Sequence, residues 1–310
     1  MNDTTRKVPS KLLRIYKRSV QQKGLSPPLD RAVIIAPLVE RFIGEFHSNL
    51  PGEVLERGGK IIDEIYQNNP TFKATIPIYL KEVGAKYPEL VGSGVLVRIL
   101  NQIFLLTAAH VTEHKSKGGY FTLGKHGFAE LSGKFARLTP VSGRLADDTL
   151  DVAYLRLDED CVNDLDLGLG IIESEDMFIE AEPQLRNNYT FAGFPWRKNK
   201  VKRKIIQMEF ITYTGQEIAA KEYTALGLKR NRHIAIRFDR KRTFSVAKNR
   251  LRTSPLPDGM SGGGVYLWNE EAMKNWPVSL PLVGIANRFI SDKSVLIATR
   301  LCVYVRSVVG

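Results

Sequence analysis

The stretch from Gly92 to Ala109 is the strongest constraint on how this chain folds. Gly92-Ser93-Gly94-Val95-Leu96-Val97-Arg98-Ile99-Leu100 is a largely apolar run entered through glycines. Asn101-Gln102 is turn-forming, and Ile103-Phe104-Leu105-Leu106-Thr107-Ala108-Ala109 is a second apolar run. Two such runs split by two turn residues predict an antiparallel hairpin with a buried second strand. His110 falls at the end of that strand. Val152 to Leu157 predicts another strand with Asp151 at its mouth, and Val265 to Trp268 a further one, entered from the turn Gly259-Met260-Ser261-Gly262-Gly263-Gly264. His110, Asp151 and Ser261 are thus each placed where a strand meets a loop, a position at which a rigid sheet can present a side chain.

Those three residue types make a chemical set. A serine hydroxyl is a poor nucleophile at neutral pH and needs a base to take its proton. An imidazole suits the task because its ordinary pKa lies near neutrality. A carboxylate on the other ring nitrogen holds the imidazole in one tautomer. Charge that develops on a carbonyl oxygen needs prearranged donors, and backbone N–H groups of a glycine turn can supply them. The N–H groups of Gly259 and Ser261 are the expected pair. Asp147 and Asp148, just upstream, are turn candidates and the nearest rivals to Asp151.

The segments resemble those of the chymotrypsin-like (trypsin-like) serine peptidases of the intracellular, bacterial type, whose chain order is His, Asp, Ser. Gly92-Ser-Gly-Val95 matches the pattern before the histidine strand. Phe191-Ala-Gly-Phe-Pro195 is similar to a Gly-aromatic-Pro turn of bacterial and intracellular members. Leu282-Val-Gly-Ile285 resembles the strand beside the primary specificity pocket, and Thr299-Arg-Leu301 the start of the closing segment. The resemblance covers about residues 71 to 310. It implies a mainly β fold of two six-stranded antiparallel barrels with the site in the cleft between them, barrel one over about 71–180 and barrel two over about 181–310. It also implies a pocket with Pro255 near its base and Ala286, Asn287, Arg288 and Phe289 along one wall. Pro255 is no acid, so a preference for Lys or Arg is not expected. Arg288 would favour an acidic residue, and Phe289 would make the pocket shallow.

Two departures matter. Digestive and clotting members carry an Asp before the nucleophile that pairs with a newly cut N-terminus, and Met260 stands there instead, so that route of activation is not expected. Secreted members are also stapled by disulfides, whereas this chain has only Cys161 and Cys302. A double barrel of about 240 residues can bury enough core without bridges, so both are expected as free thiols. His110, Glu113 and His114 match a zinc-peptidase spacing, but that motif needs a helix and begins here at a strand end. No metal and no cofactor is expected.

Residues 1–70 differ in kind. Ser10 can cap a helix over Lys11 to Val20, Asp30 one over Arg31 to Phe46 interrupted by Pro37, and a third is expected up to Gln67. The expected organisation is this helical extension, regulatory or docking in role, followed by the peptidase domain. The opening residues lack the apolar core of a secretory signal, and no run approaches the roughly 18 apolar residues of a membrane span. Cytoplasmic location and no membrane contact are therefore expected. The net charge of +12, from 45 Lys plus Arg against 33 Asp plus Glu, is concentrated in residues 6–23, 197–204 and 229–252. Such runs are either a solvated face or a surface for an acidic partner. Nucleic acid has little support, because aromatic residues are not interleaved with the basic ones and no helix-turn-helix or zinc motif is present. The expected function is a serine endopeptidase acting on a protein or peptide substrate, opened by a protein partner through the extension. The rivals are a peptidase-fold binding module and a nucleic-acid-associated regulatory protein with incidental turnover.

Overall fold

A computed structural model describes residues 70–113, 115–138, 149–165, 170–179, 188–196, 200–202, 205–207, 209–238, 240, 243–245, 250–268 and 280–309. The extension up to residue 69, His114, Asp147, Asp148 and most of the basic run 197–204 lie outside the described residues.

The described chain is mainly β. After a short helix, Pro70–Lys73, come β1 (Thr75–Glu82), β2 (Glu89–Ile99), β3 (Gln102–Ala108), β4 (Gly118–Gly124), β5 (Gly127–Glu130), β6 (Gly133–Arg137) and β7 (Val152–Leu157). There follow β8 (Asn188–Gly193), a small hairpin of β9 (Lys200–Lys202) and β10 (Ile205–Gln207), then β11 (Ile211–Gln216) and β12 (His233–Arg237). A second small hairpin joins β13 (Thr243–Ser245) to β14 (Arg250–Arg252). The last strands are β15 (Gly264–Trp268), β16 (Leu282–Ile290) and β17 (Val295–Arg300), and the chain closes on a helix, Leu301–Val309. One antiparallel sheet runs β5-β4-β1-β2-β3-β7-β6 and a second β11-β8-β15-β16-β17-β12. Two curled antiparallel sheets are the arrangement that a chymotrypsin-like double barrel requires, and the first adds one short strand to the six expected.

The hairpin predicted over residues 92–109 is present as β2 and β3, with its turn one residue earlier than the sequence suggests. Ile99 pairs with Gln102, so the two-residue loop is Leu100-Asn101. Both loop residues have positive φ, +49° and +61°. That is the primed turn whose twist matches the flanking strands, and it outweighs the poor fit of Leu to a left-handed backbone.

Burial follows the strands. Ile76, Val95, Val97, Leu106, Val152 and Leu155 lie in one core under the first sheet, and Tyr189, Phe191, Ile234, Val265 and Ala298 in another under the second. The closing helix crosses back to the first sheet. Tyr304 is fully buried there and its hydroxyl donates to the Thr107 carbonyl at 2.9 Å. Cys161 and Cys302 are both free and buried. Among the described residues no helix is long and apolar enough to cross a membrane.

Candidate active site

β3 and β7 are neighbours, with Ala108 opposite Val152, so the residues just outside them meet. His110 lies in a single 3-10 turn, Ala109–Thr112, and Asp151 directly precedes β7. The Asp151 carboxylate takes two hydrogen bonds from His110. Its Oδ1 accepts the backbone N–H at 3.0 Å and its Oδ2 faces ring Nδ1 at 2.6 Å. The Ala109 N–H donates to the Asp151 carbonyl at 3.0 Å. A carboxylate only accepts, so Nδ1 carries the proton and Nε2 keeps its lone pair. The His110 side chain is 43% exposed against 14% for Asp151. Partial desolvation pulls the imidazole pKa down, but the hydrogen bond and charge of Asp151, helped by Glu113, win and raise it above the ordinary value.

Ser261 enters from the second sheet, in the turn before β15. That turn packs with very little clearance. A Cβ on Gly262, which has φ +87°, would stand 1.9 Å from the Ser93 carbonyl oxygen, so only glycine fits. Ser93, fully buried in β2, ties the turn down. Its N–H donates to the Ser261 carbonyl at 2.8 Å, and its Oγ donates to the Gly259 carbonyl at 3.0 Å while accepting from the Phe194 N–H at 3.0 Å. Two further carbonyls of the turn are taken up by backbone donors. Asp258 C=O accepts from the Trp196 N–H at 2.8 Å and Met260 C=O from the Gly263 N–H at 2.9 Å. In a planar trans peptide the N–H points opposite to the C=O. The N–H groups of Gly259 and Ser261 therefore point the other way, and among the described residues neither donates to a carbonyl. Met260 is buried in the second core, in apolar company.

The Ser261 hydroxyl donates to the Asn287 carbonyl at 3.0 Å, and no hydrogen bond joins it to His110 among the described residues. Asn287 is fully buried at a bulge in β16 between Ala286 and Arg288. Of the pocket residues expected from sequence, Ala286 is buried and pinned to the serine turn. Its carbonyl accepts from the Gly262 N–H at 2.7 Å, and its N–H donates to the Gly263 carbonyl at 2.8 Å. Arg288 is exposed. Phe289 lies edge-on to Phe238 with ring centroids 5.3 Å apart. Pro255 accepts a 2.8 Å hydrogen bond from Tyr213 through its carbonyl. Among the described residues no group of three or more His, Cys, Asp or Glu is placed to hold a metal ion.

Sequence reasoning missed two parts of this arrangement, the pinning role of Ser93 and the backbone acceptor at Asn287. The glycines on either side of Ser93 were its only signal, and nothing in the sequence marks a carbonyl of the neighbouring strand β16 as the partner of Ser261.

No family model matches the chain, and no curated protein matches it. Solved structures similar to it include a thermostable serine protease from an extremophilic microorganism, at 13% identity and TM-score 0.46, covering 74% of this chain and 92% of that one. A Glu endopeptidase in complex with MPD is similar at 13% identity and TM-score 0.43, covering 76% and 90%. A mutant Tobacco Etch Virus protease is similar at 11% identity and TM-score 0.43, covering 78% and 80%. A likeness this distant does not name a substrate or a nucleophile.

Proposed function

We propose that the chain is a serine endopeptidase in which Ser261 is the nucleophile, His110 the base and Asp151 the residue that orients it. The observation that carries this reading is the paired contact of Asp151 with His110, at 3.0 and 2.6 Å, beside a pinned glycine turn that presents a serine. In the reaction, rotation of the Ser261 side chain off the Asn287 carbonyl brings Oγ to His110 Nε2. Oγ attacks the scissile carbonyl as Nε2 takes its proton. The oxyanion is met by the N–H groups of Gly259 and Ser261. His110 returns the proton to the leaving amine, and water then hydrolyses the acyl-enzyme by the same route in reverse. The exposed Arg288 at the pocket wall favours a substrate with an acidic side chain before the scissile bond.

Regulation by a partner at the helical extension is part of the same reading. The described chain starts beside the serine turn. Tyr266, five residues past Ser261, donates to the Thr71 carbonyl at 3.0 Å and meets Phe72 edge-on at 4.7 Å. Phe72 in turn lies 6.1 Å from Phe210, and Phe210 5.3 Å from Phe194, in the segment that holds the Asp258 carbonyl. In this reading the row of aromatic rings is the route by which the extension would act on the oxyanion turn.

The rival reading is a peptidase-fold binding module, favoured by the Ser261 hydroxyl resting on Asn287 instead of His110. Covalent labelling by a fluorophosphonate separates the two. A peptidase is labelled at Ser261, and labelling disappears in Ser261→Ala and His110→Ala. A folded protein that resists the reagent at every pH would refute the peptidase.

A further inference from the structure

His233 lies outside the reacting trio, yet it is built into the back of the site. It opens β12, pairs with Thr299 of β17 and is 1% exposed. Its Nε2 is 3.0 Å from the Thr149 carbonyl oxygen. Its Nδ1 is 3.0 Å from the backbone nitrogen of Lys229 and 3.0 Å from that residue's carbonyl. In the neutral tautomer with Nε2–H donating to Thr149, Nδ1 accepts from the Lys229 N–H and makes no hydrogen bond to the Lys229 carbonyl. The next carbonyl along, that of Leu150, accepts from Thr299 Oγ1 at 2.5 Å, and Thr299 Oγ1 accepts from Asn287 Nδ2 at 3.1 Å. Two consecutive carbonyls ahead of Asp151 are thus held by side chains of the second sheet. Asp151 itself has φ +53°. A non-glycine residue keeps such a backbone only where its surroundings over-determine it. Beyond the Ala109 and His110 N–H groups, the two clamped carbonyls are the tethers that act on the backbone leading into it.

We infer that His233, acting with Thr299, is a positioning residue that clamps Thr149-Leu150 from the opposite sheet and so holds Asp151 in the left-handed backbone that aims its carboxylate at His110. The consequence for turnover rests on the serine-peptidase reading; the clamp itself does not. Burial is the largest influence on the His233 pKa and lowers it; its contacts with the Thr149 and Lys229 backbone raise it, Arg288 of β16 and Arg232 of the preceding turn lower it, and the net shift is downward, which favours the neutral ring.

The test uses the full-length protein and its His233→Leu, His233→Gln and Thr299→Val variants. The second-order rate of fluorophosphonate labelling at Ser261 is followed against pH. The downfield NMR signal of the short His110–Asp151 hydrogen bond is followed alongside. The leucine variant is expected to label roughly 10- to 100-fold more slowly, as for a displaced catalytic group. Its midpoint should move down toward the ordinary imidazole value and its downfield signal should vanish. The glutamine variant, which restores an N–H donor, should recover most of both. A folded leucine variant with wild-type rate and midpoint overturns the inference, as does a glutamine variant as slow as the leucine one. Should the leucine variant fail to fold, Thr299→Val decides, and an unchanged rate and midpoint there would overturn it. Should the wild type resist labelling, the peptidase reading fails. The clamp then stands if the downfield signal is lost in His233→Leu and falls if it persists.

Discussion

Asp151 shows how much one residue can be asked to do. It accepts the His110 backbone N–H, faces the ring Nδ1 and gives its carbonyl to Ala109, all from φ +53°. Asp151→Asn should leave the fold in place but present an N–H to Nδ1 and force the wrong tautomer. Turnover should fall by about four orders of magnitude, read as the labelling rate at Ser261. A variant within a factor of ten of wild type would remove Asp151 from the role. The raised His110 pKa has two consequences of opposite sign. The base must be neutral, so labelling should rise with pH through a midpoint above about 6.5. The stabilisation from charged His110 beside Asp151 is fully present below that ordinary value and is lost as pH climbs through the raised one. His233 runs the other way. Its pKa is lowered, so its contribution is present above the ordinary value and fades as pH falls through the lowered one. A labelling midpoint at or below 6 in the wild type would contradict the His110 assignment.

At the scale of elements, the β2–β3 hairpin carries the histidine, and its turn is the least favourable part of it. Leu100 is 76% exposed with φ +49°, a backbone that costs a branched non-glycine residue about 1 to 2 kcal/mol. Leu100→Asn keeps the turn and tolerates the conformation. It should stabilise the protein by about 0.5 to 1 kcal/mol in chemical denaturation, with the labelling rate unchanged. The serine turn shows the reverse case, in which the strained positions already hold glycine. Gly262→Ala would drive a Cβ into the Ser93 carbonyl at 1.9 Å and the Thr107 Oγ1 at 2.2 Å. The turn must move, and with it the carbonyl that Ser93 holds. Loss of labelling together with a lowered midpoint of unfolding is expected.

At the scale of the whole molecule, the two sheets share part of one core among the described residues, and two of the places where they meet are near the site. The aromatic row from Tyr266 through Phe72 and Phe210 to Phe194 is one, and the closing helix on Thr107 is another. Phe72→Ala removes a buried ring and should cost about 3 kcal/mol. If the row transmits force to the oxyanion turn, labelling of the still-folded protein should fall more than that of a core variant of equal cost far from it, such as Phe104→Ala. Equal effects would reduce the row to plain packing. Cys161 and Cys302 lie far apart in sequence and each is buried without a bridge, so reductant should leave the melting temperature unchanged. An intact mass two hydrogens light in fresh protein would refute this.

Much of the site was legible because its parts are local. A glycine turn around Ser261, a histidine closing an apolar strand and an acid opening another are each visible in a window of six residues. Their periodicity and turn residues follow from backbone physics alone. Free thiols were legible from the whole chain instead, from two cysteines in a domain large enough to bury its core without bridges. What the tertiary structure alone decided are relations between distant windows. Pairing of β3 with β7 chose Asp151 as the partner of His110. The register of β2 against the serine turn put Ser93 where it holds two of the turn's backbone groups. The bulge in β16 aimed the Asn287 carbonyl at Ser261, and the pairing of β12 with β17 set His233 and Thr299 behind Asp151. None of these depends on a residue's own propensity. Each depends on which strand lies beside which, a choice made by burying apolar surface across the whole chain and therefore carried by no single segment of it.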